Sequence, residues 1–349
     1  MPISRLPNPI IETQEGTKEF SYKLREISSS LERKNKIYMA VFYSKLSAQQ
    51  LLEKYKNVCP NSLEREYIPV SNLENEKFPF VISKRDRGIN VLFCICSSDF
   101  FNRNILRWLN SLYPYIVLPI LKQQELRTIL ISIRNLLEVE QVNIISATSK
   151  RWLDKKDIIG KKYTESFRSW TNLSIEEAFL KAKEENRWFT SVSVLIQKKG
   201  REVKTSLSRQ GILWTNRWFD EYLEVVEKII TYFVQKLNIF SARSRQETKE
   251  VRPLSIIYDE RIFENKEERE QFINIITKIP NFGYSILHSN PYIQISLYDV
   301  KDGSSFELLI QDGNSIILFP QIKSSISAFN RLVGYIFENF KEGEIKDLE

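Results

Sequence analysis

Apolar residues along the chain fall into short runs of two kinds, one repeating every second residue and one every third or fourth, and the two kinds alternate. In the first 150 residues the helical period predicts helices over Thr17 to Lys34, Asp99 to Leu112 and Gln123 to Leu137. A further helix over Ser47 to Tyr55 starts at the capping residue Ser47. Strand-like runs lie between them, at Lys36 to Tyr43, Phe78 to Ser83, Ile89 to Cys96, Tyr115 to Ile120 and Val142 to Ala147. Strands alternating with helices predict an α/β layer around a mostly parallel sheet.

After Ser149 the texture changes. Lys150 to Tyr163 is basic and aromatic without clean periodicity, and reads as a linker or an exposed loop. Ser174 and Glu177 have the spacing of a capping box at a helix start. Phe189 to Ile196 and Val203 to Ser208 predict a hairpin around Lys198-Lys199-Gly200. Phe219, Tyr222, Val226, Ile229, Phe233 and Leu237 recur at helical spacing and should face a core.

The last third predicts a strand at Leu254 to Tyr258 and a helix at Lys266 to Lys278. Strands follow at Tyr284 to Leu287, Tyr292 to Tyr298, Phe306 to Ile310 and Ile316 to Phe319. Turns at Lys301-Asp302-Gly303 and Gln311-Asp312-Gly313-Asn314 make the last three antiparallel. A closing helix carries Ile322, Ile326, Phe329, Val333, Ile336 and Phe340 on one stripe. The fold class expected is therefore α/β in the broad sense (mixed α+β). It comprises an N-terminal α/β sheet domain over residues 1–147 and a basic domain over 148–349 with antiparallel strands and packed helices.

Composition adds three constraints. With 349 residues, 42% of them apolar, the chain can bury a large core. Only 10 residues are glycine, which argues against glycine-rich phosphate loops. The opening Met1-Pro2-Ile3-Ser4-Arg5-Leu6-Pro7 lacks a secretory apolar core, and the uncharged stretch Trp108 to Leu121 is short and holds two prolines, so the expected location is cytoplasmic with no membrane partner.

Charge changes the picture most. The formal net charge is +7, yet Lys150 to Arg217 holds 16 Lys and Arg against 8 Asp and Glu, leaving the rest of the chain near −1. In this stretch Lys150, Arg151, Lys155, Lys156, Lys161, Lys162 and Arg168 interleave with Trp152, Tyr163, Phe167 and Trp170. Lys198, Lys199, Arg201, Lys204 and Arg209 then precede Trp214, Arg217 and Trp218. Cations neutralise phosphates and aromatic faces stack on unpaired bases, so these cations, with Trp152, form the candidate surface for DNA or RNA. Several of the aromatics, Trp188 and Trp218 among them, are expected in the core.

Catalytic chemistry is hard to find. Gly160-Lys161 lacks both the earlier glycine and the following Ser or Thr of a P-loop. The single histidine, His288, has no nucleophile elbow to serve, and Cys94 and Cys96 sit in an apolar strand without a second cysteine pair. Asp259, Glu264 and Lys266 supply the residue types of a metal-dependent nuclease, but within a charge-rich turn that solvent also explains. No catalytic residue, metal or cofactor is assigned.

Pro291-Tyr292-Ile293-Gln294-Ile295-Ser296-Leu297-Tyr298 and the following Asp302-Gly303-Ser304-Ser305-Phe306 resemble in outline the second half of phospholipase-D-like domains. That family places a His-x-Lys pair on such a strand. Here the comparable positions are Gln294 and Ser296, and counting from His288 gives Asn290, so the resemblance implies a catalytically dead site. In size, charge and missing catalysis the chain also resembles accessory proteins of prokaryotic defence systems, including those that pair with short Argonautes. That resemblance implies a non-catalytic subunit acting in antiviral defence within a hetero-complex with a protein partner. The alternatives are a divergent metal-dependent nuclease or phosphodiesterase, and a purely protein-binding scaffold.

Overall fold

A computed structural model describes residues 7–32, 34–58, 67–73, 76–139, 142–152, 164–167, 173–198, 201–246, 250–311 and 313–347. It divides into two compact units, residues 1–233 and 234–349.

The first unit is built on one large sheet. Its principal strands are β1 (Ile10–Ile11), β2 (Asn35–Ser44), β3 (Phe80–Lys84), β4 (Ile89–Ser97), β5 (Val142–Trp152), β6 (Arg187–Lys198), β7 (Arg201–Ser208) and β8 (Ile212–Thr215). They lie in the order β1-β3-β4-β2-β8-β7-β6-β5, with Thr164–Phe167 beyond β5. Among the described residues only β1 with β3 pairs in parallel, so the expected mostly parallel sheet is corrected to an antiparallel one. The physical reason is local. Between β3 and β4 lie only four residues, too few for a crossover, and Arg87 (φ 58°) and Gly88 (φ 78°) turn the chain straight back.

The helices of this unit are α1 (Gln14–Ser28), α2 (Ala48–Val58), α3 (98–111), α4 (Gln123–Leu136), α5 (Ile175–Glu184) and α6 (Tyr222–Arg243), which runs on past the division. Their starts follow the capping chemistry in the sequence. Ser47 Oγ accepts from Gln50 N while the Gln50 side chain accepts from Ser47 N. At α5, Ser174 and Glu177 close the expected capping box, an arrangement that stabilises a helix by about 1 kcal/mol. The first helix begins one turn before its predicted start, because Thr13 Oγ1 accepts from Gly16 N.

Helices α2 and α3 cover one half of one sheet face. Tyr38, Ala40 and Phe42 of β2, with Cys94 and Cys96 of β4, pack there against Leu52, Tyr55, Phe101, Ile105 and Trp108. Both cysteines are core thiols on one face, their sulfurs 3.3 Å apart, and burial pushes the Cys94 thiol up. The opposite face is covered by α1, α4, α5 and the first part of α6. Phe20 meets Phe93 edge-on, Phe179 meets Phe189, and Tyr222 shares its hydroxyl with Thr205 at 2.5 Å. Trp188 and Trp218 are buried, as the sequence suggests.

The boundary expected at 147/148 is not where the chain divides. Strands β6, β7 and β8 return to the first sheet and β8 pairs directly with β2, so one hydrophobic core spans both sides of that position. The change of texture at Lys150 marks the outer part of β5, which continues to Trp152, and not a change of domain.

The second unit follows the sequence closely. Strands β9 (Leu254–Ile257), β10 (Phe282–His288), β11 (Ile293–Asp299), β12 (Ser305–Ile310), β13 (Ser315–Pro320) and β14 (Glu344–Asp347) form an antiparallel sheet in the order β10-β11-β12-β13-β9-β14. Helices α7 (Lys266–Ile276) and α8 (Ile326–Asn339) supply Phe272 and Phe329 to its core. Ile322 is not on the closing stripe. Ser325 caps α8, and Ile322 lies ahead of it, exposed.

Candidate nucleic-acid interface

The β6–β7 hairpin places Lys198 directly opposite Arg201 at its tip. The pleat turns both toward the side on which α6 packs, and the chain leaving β8 brings Arg217 to the same place. With Arg25 of α1, these cations line a cleft of about 440 Å³, together with Phe219, Asp220 and Glu221. Two of the four cations are neutralised: Arg25 by Asp220 at 2.8 Å and Lys198 by Glu221 at 3.1 Å. Lys198 Nζ also stands 4.8 Å from the centre of the Phe219 ring. Arg201 and Arg217 have no carboxylate partner among the described residues, so the cleft holds an excess of two positive charges.

Its base is rigid. Trp218 Nε1 donates to Ser21 Oγ at 2.8 Å, and Ser21 Oγ donates to Asp220 at 2.6 Å. Thr215 Oγ1 donates to the Arg217 carbonyl and accepts from the Arg217 N–H, fixing the backbone that carries this guanidinium. A phosphate entering the cleft would meet two unpaired guanidinium groups and displace no ion pair.

The other expected site residues are distributed differently. Lys204 and Lys150 are on the opposite face of the sheet: Lys204 lies three residues from Arg201, and Lys150 two residues from Thr148, which faces that side. Arg151 and Trp152 end β5, paired with Glu165 and Thr164. Lys155, Lys156, Lys161, Lys162, Arg168 and Lys199 lie outside the described residues.

Arg209 is a correction. It is only 2% exposed, its Nε donates to the Leu121 carbonyl at 3.1 Å, and its backbone bonds to Thr190 and Leu121. It ties the turn after β7 to the segment before α4 and does not reach a surface phosphate.

A second concave feature was not foreseen. Where α3 ends, the sheet face it covers continues over β8, β7, β6 and β5 without a further helix among the described residues, and becomes a groove of about 470 Å³. Its floor is made of Ser146, Thr148, Ser191, Ser193, Ser206 and Ser208, brought side by side by the register of the three strands. The signal was in the sequence as alternation: Ser191-Val192-Ser193-Val194 and Ser206-Leu207-Ser208 place hydroxyls on one face and apolar groups on the other.

One wall of the groove holds Tyr38, Ser98 and Trp214. Lys36 Nζ donates to Ser98 Oγ at 3.0 Å and stands 3.8 Å from the centre of the Trp214 ring, while Tyr38 Oη donates to the same Ser98 oxygen at 2.9 Å. Burial, and then the nearby Lys204 ammonium, draw the Lys36 pKa down. Burial raises the Tyr38 phenol, against the opposing hydrogen bond to Ser98, so it keeps its proton.

The residues considered for catalysis stay apart. His288 is exposed on β10 against the Tyr292 ring, and the Gln294 amide bonds to Glu307. Glu264 pairs with Arg261, and Lys266 with Glu270. Among the described residues no group of three or more His, Cys, Asp or Glu side chains could hold a metal ion, and no helix is long and apolar enough to cross a membrane. No protein-family model matches the chain, and no curated protein matches it.

Proposed function

We propose that this chain is a non-catalytic nucleic-acid-binding subunit, and that Arg201 and Arg217 at the hairpin-tip cleft meet the phosphates of a strand. The observation that supports this reading is the convergence of Lys198, Arg201 and Arg217, three residues of the basic stretch, on one cleft with Arg25 and an aromatic ring. Unpaired guanidinium groups suit phosphate because their planar fork binds two of its oxygens at once, as it does those of a carboxylate. The accessory-subunit resemblance, with its defence setting and its partner protein, belongs to the same proposal.

The test is affinity for single- and double-stranded DNA and RNA across a salt series. Binding is expected to weaken linearly in log–log form, with a slope of at least about −1.5 for two neutralised phosphates. Absence of binding at low salt would remove the reading.

The assembly part of the proposal has its own support. Strand β10 lies at the edge of the second sheet and leaves Tyr284, Ile286 and Leu287 exposed. An apolar edge strand of this kind is a ready template for a partner's strand. Replacing Ile286 with aspartate is expected to release a partner that co-purifies with the wild-type chain. An unchanged complex would place the interface elsewhere.

A further inference from the structure

The serine-floored groove lies on the sheet face opposite the basic cleft and shares none of that cleft's residues. Three features mark it as built for a ligand. The first is its floor. The hydroxyls of Ser146, Ser191, Ser193 and Ser206 make no hydrogen bond to any described protein group; Ser146 is exposed and Ser191 and Ser193 are half-buried, but Ser206 is only 5% exposed. Buried polar groups in proteins are as a rule partnered, so the hydroxyl of the buried Ser206, which opens onto the groove, is free to meet a polar atom from outside the chain.

The second is charge. Trp214 pairs with Ser206 on one side and Tyr38 on the other, so Lys204 and Lys36, each two residues along, flank the groove's rim beside the Ser98–Trp214 wall on the same sheet face, and neither has a carboxylate within ion-pairing distance among the described residues. Two ammonium groups held together without a counter-ion repel, and an anion between them would relieve that repulsion. The third is the wall itself. Residues Phe101–Leu106 form a turn of π-helix within α3, and Phe101, Asn102 and Leu106 border the groove. Such turns recur at functional sites, because they reposition side chains that a regular helix would point elsewhere. The volume, about 470 Å³, falls within the range of small-ligand sites, roughly 300–1,000 Å³.

A hydroxyl-rich floor beside a cation pair matches one chemistry: a hydroxylated body carrying a phosphate, doubly charged as a monoester and singly charged within a strand. We infer that this groove binds a phosphorylated sugar, either free or as one nucleotide unit, with its phosphate between Lys36 and Lys204 and its hydroxyls on the serine floor. Gln210 and Asn102, which also line the groove, present amides to the same body. A bare anion would need only the lysines, and a neutral sugar only the floor.

The inference does not depend on the basic cleft, and the experiment separates the two. Full-length protein is titrated calorimetrically with ribose 5-phosphate, adenosine and cytidine 5′-monophosphates, inorganic phosphate and a short oligonucleotide. The titrations are repeated with S193A/S206A, with K204Q and with R201E/R217E. Because the Ser193 and Ser206 hydroxyls have no hydrogen-bond partner among the described residues, their loss should leave the fold intact, and an unchanged melting temperature verifies this.

Ribose 5-phosphate is expected to bind more tightly than inorganic phosphate, and to lose about tenfold in affinity in S193A/S206A and again in K204Q. R201E/R217E should bind it as the wild type does. Mononucleotide binding with the same pattern identifies the free ligand as the source; binding of the oligonucleotide alone, sensitive to the serine pair, identifies a strand unit. No binding of any of these at millimolar concentration overturns the inference. So does equal binding of inorganic phosphate and ribose 5-phosphate, or binding indifferent to S193A/S206A. Loss of oligonucleotide binding only, with ribose 5-phosphate retained, would count against the basic cleft and not against the groove.

Discussion

Exchanging Arg201 and Arg217 together for glutamate is expected to lower affinity for single-stranded nucleic acid about a hundredfold at low salt. These two guanidinium groups lack carboxylate partners in the cleft, whereas Arg25 and Lys198 are held by Asp220 and Glu221. Removing a phosphate contact costs roughly tenfold in affinity and reduces the salt slope by about 1. Two such losses multiply, and the introduced carboxylates repel the strand. The affected residues are peripheral: Arg201 is exposed, and Arg217 is fixed by its backbone through Thr215 and not by its side chain. The variant should therefore melt at the wild-type temperature. A slope and affinity unchanged within twofold would show that the cleft does not contact phosphate. A loss of equal size at every salt concentration would mean that the contact is not ionic.

Replacing Trp108 with alanine is expected to destabilise the first unit by about 3–5 kcal/mol. Trp108 is fully buried beneath the half of the sheet that α2 and α3 cover, edge-on to Tyr55 at 5.2 Å and stacked on Phe80 at 5.6 Å. Its neighbours come from two helices and one strand, so no single element can move in to fill the space. Conversion to phenylalanine should cost less than half as much, since most of the ring contacts survive. Denaturant unfolding followed by circular dichroism measures both. A loss below about 1 kcal/mol for the alanine variant would mean that the helix layer collapses freely around the site, contrary to the packing described.

Much of this architecture was legible in the residues. The capping box at Ser174, the helical stripe from Tyr222 to Leu237 and five of the six strands of the second sheet all appear where periodicity and turn chemistry put them. What escaped was partnership over distance. Nothing in the run Ile212 to Thr215 says that it pairs with Ile37 to Ala40, and that pairing is what fuses residues before and after 147 into one unit. The candidate site was half legible. Charge counting found Lys198, Arg201 and Arg217 but equally chose Arg209, whose burial depends on a carbonyl 88 residues away. Arg25 was missed because a lone cation on a helix face carries no signal until the fold brings it beside the hairpin. The serine floor was missed because hydroxyls alternating with valines read as an ordinary half-exposed strand, and only three such strands side by side make a surface.

The pairing of β2 with β8 also governs how the chain comes to be folded. On one flank β2 has β4, about 50 residues downstream. On the other it has β8, about 170 residues downstream. A ribosome adding roughly 5–20 residues per second takes on the order of 10–30 s to cover that second interval. Throughout it, most of one edge of β2 is open, and of the helices that cover the face bearing Ile37, Met39 and Val41 only α1 precedes the strand. The first unit therefore cannot complete its sheet until the chain has emerged to Thr215, nor its core until α6 follows, and a shorter nascent chain exposes an unpaired strand edge of the kind that templates aggregation.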